Sequence, residues 1–227
     1  MQLYHGSIHK IPLPTYGLGN HKNDYGLGFY CTAHYDLAAE WACSKEHNGF
    51  VNEYDLDITS LTKFSLTDNQ YHILNWLAIL LENRTFSLNS PIKKEGYKFL
   101  LTNFLPEYAS ADIIVGYRAD DSYFSFANAF LGNEISLSQL NRAMKLGDLG
   151  EQLVLKSANA FKQLKYVNSY SVSKQIYYPK RLKRDRTARE NFATMRNEQV
   201  TDGLFLIDIM RCNRGELNEL IRRELSK

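Results

Sequence analysis

Near its N-terminus the chain reads Tyr4-His5-Gly6-Ser7 and, after a gap, Asp24-Tyr25-Gly26-Leu27-Gly28-Phe29-Tyr30-Cys31-Thr32. A run that contains Ala-x-x-Trp-Ala, from Ala38 to Ala42, follows. A His-Gly pair or a Gly-x-Gly-x-Tyr motif is common when it occurs alone, whereas both in this order are much rarer. The pattern predicts a strand at 2–5, a second strand at 28–32 and a helix over 37–47 with Asp36 as its N-cap.

Strands and helices mix along the rest of the chain without a regular alternation. Alternating apolar residues predict a half-buried strand at 50–58, and an apolar run predicts another at 152–156. Asp68 is a suitable N-cap for a helix over 69–83, and the capping-box pattern that begins at Ser136 predicts a further helix. We therefore expect an α+β architecture rather than a doubly wound sheet.

Composition and charge place few limits on function. The 227 residues are 44% apolar and 23% charged, which suits one domain with a sizeable core, with or without an appendage. The net charge of +2 indicates no class of partner. The three cysteines, Cys31, Cys43 and Cys212, lack the spacing of a disulfide framework or a zinc site, so we expect no metal and a reducing compartment. We also expect no membrane association, because no apolar stretch is long enough to span a bilayer.

The ordered motifs of residues 4–42 resemble the front half of the ADP-ribosyltransferases of the His-Tyr-Glu type. More closely, residues 1–167 resemble a bacterial family, related to these enzymes, that is catalogued as a domain of unknown function. Some of its members look like toxins paired with small antitoxins, and others like effectors that modify ubiquitin. The resemblance implies a split mixed and antiparallel sheet with flanking helices in 1–167. Residues 168–227 lie outside the resemblance, and we expect them to form a helical, basic extension packed on the same domain.

The resemblance also implies that NAD is the co-substrate. The matching His hydrogen-bonds a ribose hydroxyl on the adenosine side, the matching Gly binds the nicotinamide carboxamide through its backbone, and the matching Tyr stacks on the nicotinamide. A cationic nicotinamide ring would gain roughly 0.5–2 kcal/mol from such an aromatic face. The residues expected to bind NAD are His5, Gly6, Ser7, Tyr25, Gly28, Phe29, Tyr30 and Thr32. For His5 and Tyr30 the alternative is an ordinary position in a strand.

Many such enzymes carry a Glu that engages the ribose and stabilises the positive charge of an oxocarbenium-like transition state, as in glycoside hydrolysis. The matching segment here is Leu149-Gly150-Glu151-Gln152-Leu153. Glu151 has the better chemistry, whereas Gln152 matches the family pattern better. Adjacent residues of a strand face opposite sides, so only one of the two can face NAD. We favour Gln152 and keep both as candidate catalytic residues with His5 and Tyr30.

Two further groups are candidates for contacts with a macromolecular acceptor. Asp120 and Asp121 follow a predicted strand, where they can position a nucleophile or, as the alternative for Asp121, cap the next helix. The stretch 180–199 is rich in Lys and Arg, including Arg181 and Arg184, and predicts an exposed helix. Such a helix can bind phosphates, although a solvated face is the commoner role.

The expected function is therefore that of a mono-ADP-ribosyltransferase, a toxin or effector that modifies a protein or a nucleic acid. Two alternatives stay open: an NAD glycohydrolase that uses the same pocket, and a module that binds NAD without turnover. An antitoxin protein is a further partner that the resemblance implies. We expect the protein in the bacterial cytoplasm, or delivered into a target cell without a secretory signal peptide.

Overall fold

The computed structural model describes residues 1–119, 121–146, 150–198, 200, 202–213 and 215–226, with the backbone alone at 121 and 122. The architecture is α+β, as the sequence predicts, and the chain forms two compact units. Unit 1 comprises 1–71, 107–118 and 149–184, and unit 2 comprises 72–106, 119–148 and 185–227. The expected boundary between 167 and 168 falls inside a strand of unit 1 and stays a prediction.

Unit 1 contains two open sheets. An antiparallel sheet has the strand order β1-β3-β7, formed by Gln2–Ser7, Gly49–Leu56 and Leu164–Val172. A mixed sheet has the order β2-β6-β5-β4, in which β4 and β5 are parallel and the other pairs are antiparallel. Its strands are β2 (Phe29–Cys31), β4 (Lys63–Ser65), β5 (Ile113–Tyr117) and β6 (Glu151–Leu155).

The two sheets meet at Tyr4 and Thr32. The Tyr4 amide donates to the Thr32 carbonyl at 2.8 Å, and the Thr32 amide donates to the Tyr4 carbonyl at 2.9 Å. A buried cluster lies on one face of the β2–β6–β5 strands and includes Leu3 of β1 and Leu56 of β3; the other members are Cys31, Ile113, Leu153, Leu155 and Ala160. This apolar packing holds β1 and β2 at a fixed distance, which brings together the two motifs singled out in the sequence.

Helix α1 (Tyr35–Ala42) packs directly on two glycines of the antiparallel sheet. A Cβ atom on Gly6 would collide with the Ala38 carbonyl oxygen and lie 2.8 Å from the Ala42 amide nitrogen. A Cβ on Gly49 would lie 2.6 Å from the Ala42 carbonyl carbon. The alanines of the Ala-x-x-Trp-Ala motif are therefore the helix side of a close helix–sheet contact. The N-cap is His34 rather than Asp36, which lies inside the first turn.

Unit 2 is helical. Its helices are α2 (Ile73–Asn83), α3 (Pro91–Phe104), α4 (Asp121–Leu131), α5 (Leu137–Ala143), α8 (Leu206–Arg211) and α9 (Leu217–Leu225). Trp76, Phe126 and Phe130 are among its largest fully buried side chains. The predicted capping box is present at Ser136, whose Oγ accepts from the Gln139 amide at 3.2 Å. The predicted start of α2 at residue 69 is wrong, because His72 is the N-cap and its Nδ1 accepts from the Leu74 amide at 3.3 Å.

The remaining helices follow β6 and β7. Helix α6 (Ala158–Lys162) is a short connection, and α7 (Lys174–Arg196) is the helix predicted from the basic stretch. Residues 174–184 of α7 belong to unit 1 and residues 185–196 to unit 2. Within the described part of the chain, no helix is both long and apolar enough to cross a membrane.

Candidate functional site

His5 is fixed on β1 by two contacts with β2. Its Nδ1 lies 2.7 Å from the carbonyl oxygen of Tyr30, and its ring stacks on Phe29 with 4.3 Å between the ring centroids. A carbonyl oxygen can only accept, so Nδ1 carries the proton and Nε2 keeps its lone pair. Burial lowers the pKa of His5 below the ordinary 6.5, an effect that the Tyr30 carbonyl partly opposes. His5 is therefore neutral at pH 7, and its Nε2 accepts no hydrogen bond from the described residues.

Gly6 and Ser7 complete this end of β1. The sequence suggests that Gly6 lets a ligand approach its backbone, but the contact with α1 is by itself sufficient to require a glycine there. Ser7 is half-buried, and its Oγ accepts from the His9 amide at 3.1 Å. Asn52, which the sequence does not indicate, donates to the His5 carbonyl at 3.3 Å and accepts from the Ile11 amide at 2.8 Å. These bonds hold the backbone around His5.

Tyr30 anchors the loop 24–28. Its hydroxyl donates to the Gly26 carbonyl at 2.6 Å and accepts from the Tyr25 amide at 3.1 Å. The loop needs glycine at position 26, where φ is 71°. Tyr25 is fully buried: its ring lies over Gly116 and its hydroxyl donates to the Tyr117 carbonyl at 2.8 Å. Tyr25 therefore supports the loop from the interior, whereas Tyr30 is half-buried.

The other expected NAD-binding residues of this region have packing roles. A Cβ on Gly28 would lie 2.5 Å from Val154 Cγ1 and 2.9 Å from the Leu155 carbonyl oxygen, so close pairing with β6 requires glycine here. Phe29 packs against the apolar cluster under the sheets and also contacts Tyr54 edge to face. Thr32 is fully buried, and its Oγ1 accepts from the His34 amide at 3.2 Å.

Gln152 and Glu151 lie on opposite faces of β6. Tyr30 lies opposite Val154 in the pairing of β2 with β6. Gln152 and Val154 are two residues apart on β6 and face the same side, so Tyr30 and Gln152 share one face of the sheet. Glu151 is exposed at the start of the strand, directly opposite Tyr117. Burial, together with the Glu151 charge, raises the pKa of Tyr117.

Gln152 is buried and hydrogen-bonded. Its Nε2 donates to Asp24 Oδ2 at 3.1 Å and to the Tyr117 carbonyl at 3.2 Å. Both amide hydrogens are thus used inside the protein. Asp24 is 6% exposed, and its contact with Gln152 places its carboxyl group on the face of the sheet that carries Tyr30.

Lys156 is a second anchor that the sequence does not indicate. Its Nζ donates to the carbonyl oxygens of Tyr25 and Leu27, each at 2.6 Å. Asp24 begins the Asp-Tyr-Gly-x-Gly motif, so the sequence draws attention to it. No local pattern indicates Lys156, because its partners lie about 130 positions earlier in the chain. Tyr30, Gln152 and Lys156 together hold the loop 24–28 on the mixed sheet.

The residues expected to bind the macromolecular acceptor do not form one group in the described structure. Asp120 lies outside the described residues; Asp121 begins α4, and its side chain also lies outside them. Arg184 forms a two-point ion pair with the buried Glu40, with distances of 3.0 and 2.9 Å. Arg181, by contrast, has no acidic partner among the described residues. Arg184 thus fixes α7 to α1, and its guanidinium is already engaged.

Two other features complete the survey. Among the described residues, no group of three or more His, Cys, Asp and Glu side chains is arranged to hold a metal ion. Unit 2 has a cavity of about 230 Å³ lined by Asp202, Gly203, Leu204, Asp208, Leu220, Arg223 and Glu224. None of the residues singled out in the sequence lines this cavity.

Comparison with known proteins identifies the family. A family model described as "Protein of unknown function (DUF3990)" matches residues 1–166, the part of the chain that carries both motifs, the loop 24–28 and Gln152. No curated protein and no solved structure matches the chain. Because the match covers well over half of the chain, the protein belongs to the DUF3990 family of unknown function.

Proposed function

We propose that the protein is a mono-ADP-ribosyltransferase that takes NAD as co-substrate and modifies a macromolecular acceptor, either a protein or a nucleic acid. One observation carries the proposal: the 2.7 Å contact between His5 Nδ1 and the Tyr30 carbonyl joins the two halves of the ordered motif and leaves Nε2 as an acceptor. The proposal includes the fold, in which the two sheets that meet at Tyr4 and Thr32 are the split sheet of an ADP-ribosyltransferase.

The residues present fit NAD in two respects. A neutral His5 with a lone pair on Nε2 suits a ribose hydroxyl, which donates to it. Tyr30 is half-buried, and its aromatic ring is of the kind that attracts a cationic nicotinamide. NAD supplies the glycosidic bond whose cleavage leaves positive charge on the ribose, and the chain must hold the sugar and stabilise that charge.

Among the described residues, Asp24 is a candidate to supply the negative charge that this step needs. Asp24 lies on the face that carries Tyr30, held by Gln152 at 3.1 Å, whereas Glu151 is exposed on the other face of β6. We propose that Asp24 supplies the stabilising charge and that Gln152 holds its carboxylate. A low-dielectric site strengthens such an interaction, because the nearly buried carboxylate is little screened by water.

Labelled NAD tests the proposal. The purified chain is incubated with labelled NAD and a cell lysate that contains protein and RNA, and both label transfer and nicotinamide release are measured. His5→Ala should lower kcat/KM for NAD about tenfold or more, the equivalent of one lost hydrogen bond. His47→Ala is the matched control, because His47 is exposed and its charged neighbour is the exposed Glu46.

Three results distinguish the alternatives. Label transfer that is lost in His5→Ala and kept in His47→Ala supports the transferase. Nicotinamide release at the same rate with and without protein and RNA favours an NAD glycohydrolase. The absence of both NAD binding and nicotinamide release in the unaltered chain would refute the proposal. A small antitoxin protein, if one exists, should suppress the label transfer.

An NAD-binding module without turnover is the second candidate, and Gln152 favours it. The Gln152 side chain brings no charge, and both of its amide hydrogens are used by Asp24 and the Tyr117 carbonyl. Calorimetry with NAD, combined with the release assay, discriminates between the two. Binding that depends on His5 without any nicotinamide release identifies the module.

A further inference from the structure

The cations at the start of α7 differ in whether an acidic side chain neutralises them, which the sequence does not reveal. Residues 174–184 contain Lys174, Lys180, Arg181, Lys183 and Arg184, and no Asp or Glu. Arg184 is neutralised by the buried Glu40. Lys180, Arg181 and Lys183 form no ion pair with any described residue, and Lys174 Nζ donates at 2.8 Å to an uncharged group, the Glu46 carbonyl. This stretch therefore carries an uncompensated positive charge.

The same stretch is held firmly against the rest of unit 1. Tyr177 and Tyr178 pack on the buried cluster formed by α1, β3 and the end of β7. The Lys174 amide donates to Asn48 Oδ1 at 3.0 Å, and the Arg184–Glu40 pair fixes the other end. Because the packing side of the helix is fixed, the remaining cations are presented at defined positions.

The exposed side of this stretch combines cations with few apolar groups. Lys180 and Lys183 are exposed and lie three residues apart, so their side chains are neighbours on the helix surface. Ile176 and Leu182 are the large apolar side chains exposed there, at 56% and 50%. Lys174 and Arg181 are half-buried and lie nearer to the packed side, within three or four positions of Tyr177 and Tyr178. We name the surface formed by the exposed Lys180 and Lys183, together with the partly exposed Lys174 and Arg181, the basic face of α7.

We propose that the basic face of α7 binds the phosphate backbone of a nucleic acid. Asp36, which hydrogen-bonds Tyr177, is an acid beside this stretch, and the four cations of the basic face outnumber it. The excess of Lys and Arg creates a positive potential that suits a polymer with one charge per nucleotide. A membrane surface fits less well, because the aromatic residues of this stretch are packed on α1 and only two aliphatic side chains are left to insert. A protein partner also fits less well, since the centres of protein interfaces are poor in charge and rich in aromatic anchors.

The surface and the proposed NAD reaction are separate claims. The basic face requires no NAD, and a chain that binds nucleic acid without consuming NAD would leave this inference intact. Conversely, ADP-ribosyl transfer to a protein acceptor alone, without nucleic-acid binding, would overturn the inference and leave the proposed reaction standing.

Binding to labelled oligonucleotides tests the proposal with the full chain. Fluorescence anisotropy is measured with single-stranded RNA and DNA 20-mers of mixed sequence, across a series of salt concentrations. The test variant is Lys180→Gln/Arg181→Gln/Lys183→Gln, which keeps Arg184 and its ion pair. The matched control is Lys63→Gln/Lys162→Gln/Lys165→Gln, which removes the same charge from exposed positions elsewhere in unit 1.

The expected result has two parts. The test variant should bind at least tenfold more weakly at low salt, and the slope of log affinity against log salt should fall by about 2, since each single-strand phosphate contact contributes about 0.7. The control should bind like the unaltered chain. A difference between RNA and DNA tells which nucleic acid is preferred.

Three outcomes would overturn the proposal. One is the absence of binding to either oligonucleotide at low salt, and another is equal weakening in the test variant and the control. The third is binding of the unaltered chain to vesicles with anionic lipids, lost in the test variant, while its oligonucleotide binding is unchanged. Thermal unfolding of the control should match that of the unaltered chain, because its replaced side chains are exposed and make no ion pair with the described residues. The test variant should unfold only slightly earlier, because it loses the contact of Lys180 with the Tyr177 ring at 4.8 Å and a half-buried Arg181.

Discussion

The end of β1 and the loop 24–28 carry the two halves of one sequence motif, yet they are built differently. In the loop, the polar groups of Tyr30, Gln152 and Lys156 are used in hydrogen bonds within the protein. At the end of β1, α1 packs closely on Gly6 while His5 Nε2 accepts nothing from the described residues. The loop is therefore a preorganised support, and His5 is the group with capacity left for a ligand.

We expect the largest loss of stability from a substitution at Gly6, because the close packing of α1 on β1 depends on this glycine. In Gly6→Ala the new methyl group would meet the backbone of Ala38 and Ala42, which cannot move without shifting α1. We expect a loss of about 3 kcal/mol or more in the free energy of unfolding, measured by denaturant titration, or no folding at all.

Ser7→Ala is the matched control for this substitution. It changes the neighbouring residue and removes one exposed hydrogen bond to the His9 amide. We expect a cost below about 1 kcal/mol for Ser7→Ala. A Gly6→Ala protein as stable as the unaltered chain would mean that α1 does not pack closely on β1.

We expect a smaller loss of stability at Gln152, which holds the loop 24–28 through its hydrogen bond to Asp24. In the ADP-ribosyltransferase proposed above, Gln152→Glu would supply the Glu of the His-Tyr-Glu type. Here it would instead set two carboxylates about 3 Å apart, because Gln152 Nε2 lies 3.1 Å from Asp24 Oδ2. The pKa of the introduced carboxyl should rise, so the variant keeps its stability at pH 4 and loses about 2 kcal/mol as pH rises to 7.

The double variant Asp24→Asn/Gln152→Glu is the control for this effect. An Asn at position 24 can donate to the new carboxylate, so the stability lost at pH 7 should return. Urea titrations of the single and double variants at pH 4 and pH 7 measure this. A single variant that is as stable as the unaltered chain at both pH values would show that Gln152 and Asp24 are not in contact.

Local patterns were sufficient to predict most elements of the fold. The strand at 2–5 and the capping box at Ser136 are confirmed, since each depends on neighbouring residues alone. Strand β4 has only three residues and forms because β5 pairs with it, so its own residues give little signal. The sequence predicts too early a start for α2, because Asp68 lies in a turn in which its carbonyl accepts from the Tyr71 amide at 2.9 Å.

The candidate site needed contacts that no local pattern contains. Alternation on a strand predicts that only one of Glu151 and Gln152 faces Tyr30, but the register between β2 and β6 is needed to tell which. The Arg184–Glu40 pair joins residues 144 positions apart, so the basic stretch could not be divided into paired and unpaired cations beforehand. The sequence patterns pointed to segments, and the contacts of their individual side chains depend on long-range pairing that no local pattern contains.

The smallest effect is expected from the titration of His5, which tests whether this group is as buried as the contacts with Phe29 and Tyr30 imply. Its pKa is lowered below 6.5, so the folded state resists protonation that the unfolded chain accepts. Stability should therefore be fully present above about pH 6.5 and fall as pH drops towards the lowered pKa of the folded state.

His5→Asn should show a smaller loss of Tm between pH 7.5 and pH 5 than the unaltered chain. Some dependence should persist in that variant, because burial and the Arg222 charge also lower the pKa of His72, to about 4. An acid response unchanged by His5→Asn would mean that His5 is solvated in the folded protein, and its neutral form would then no longer distinguish the end of β1 from the loop.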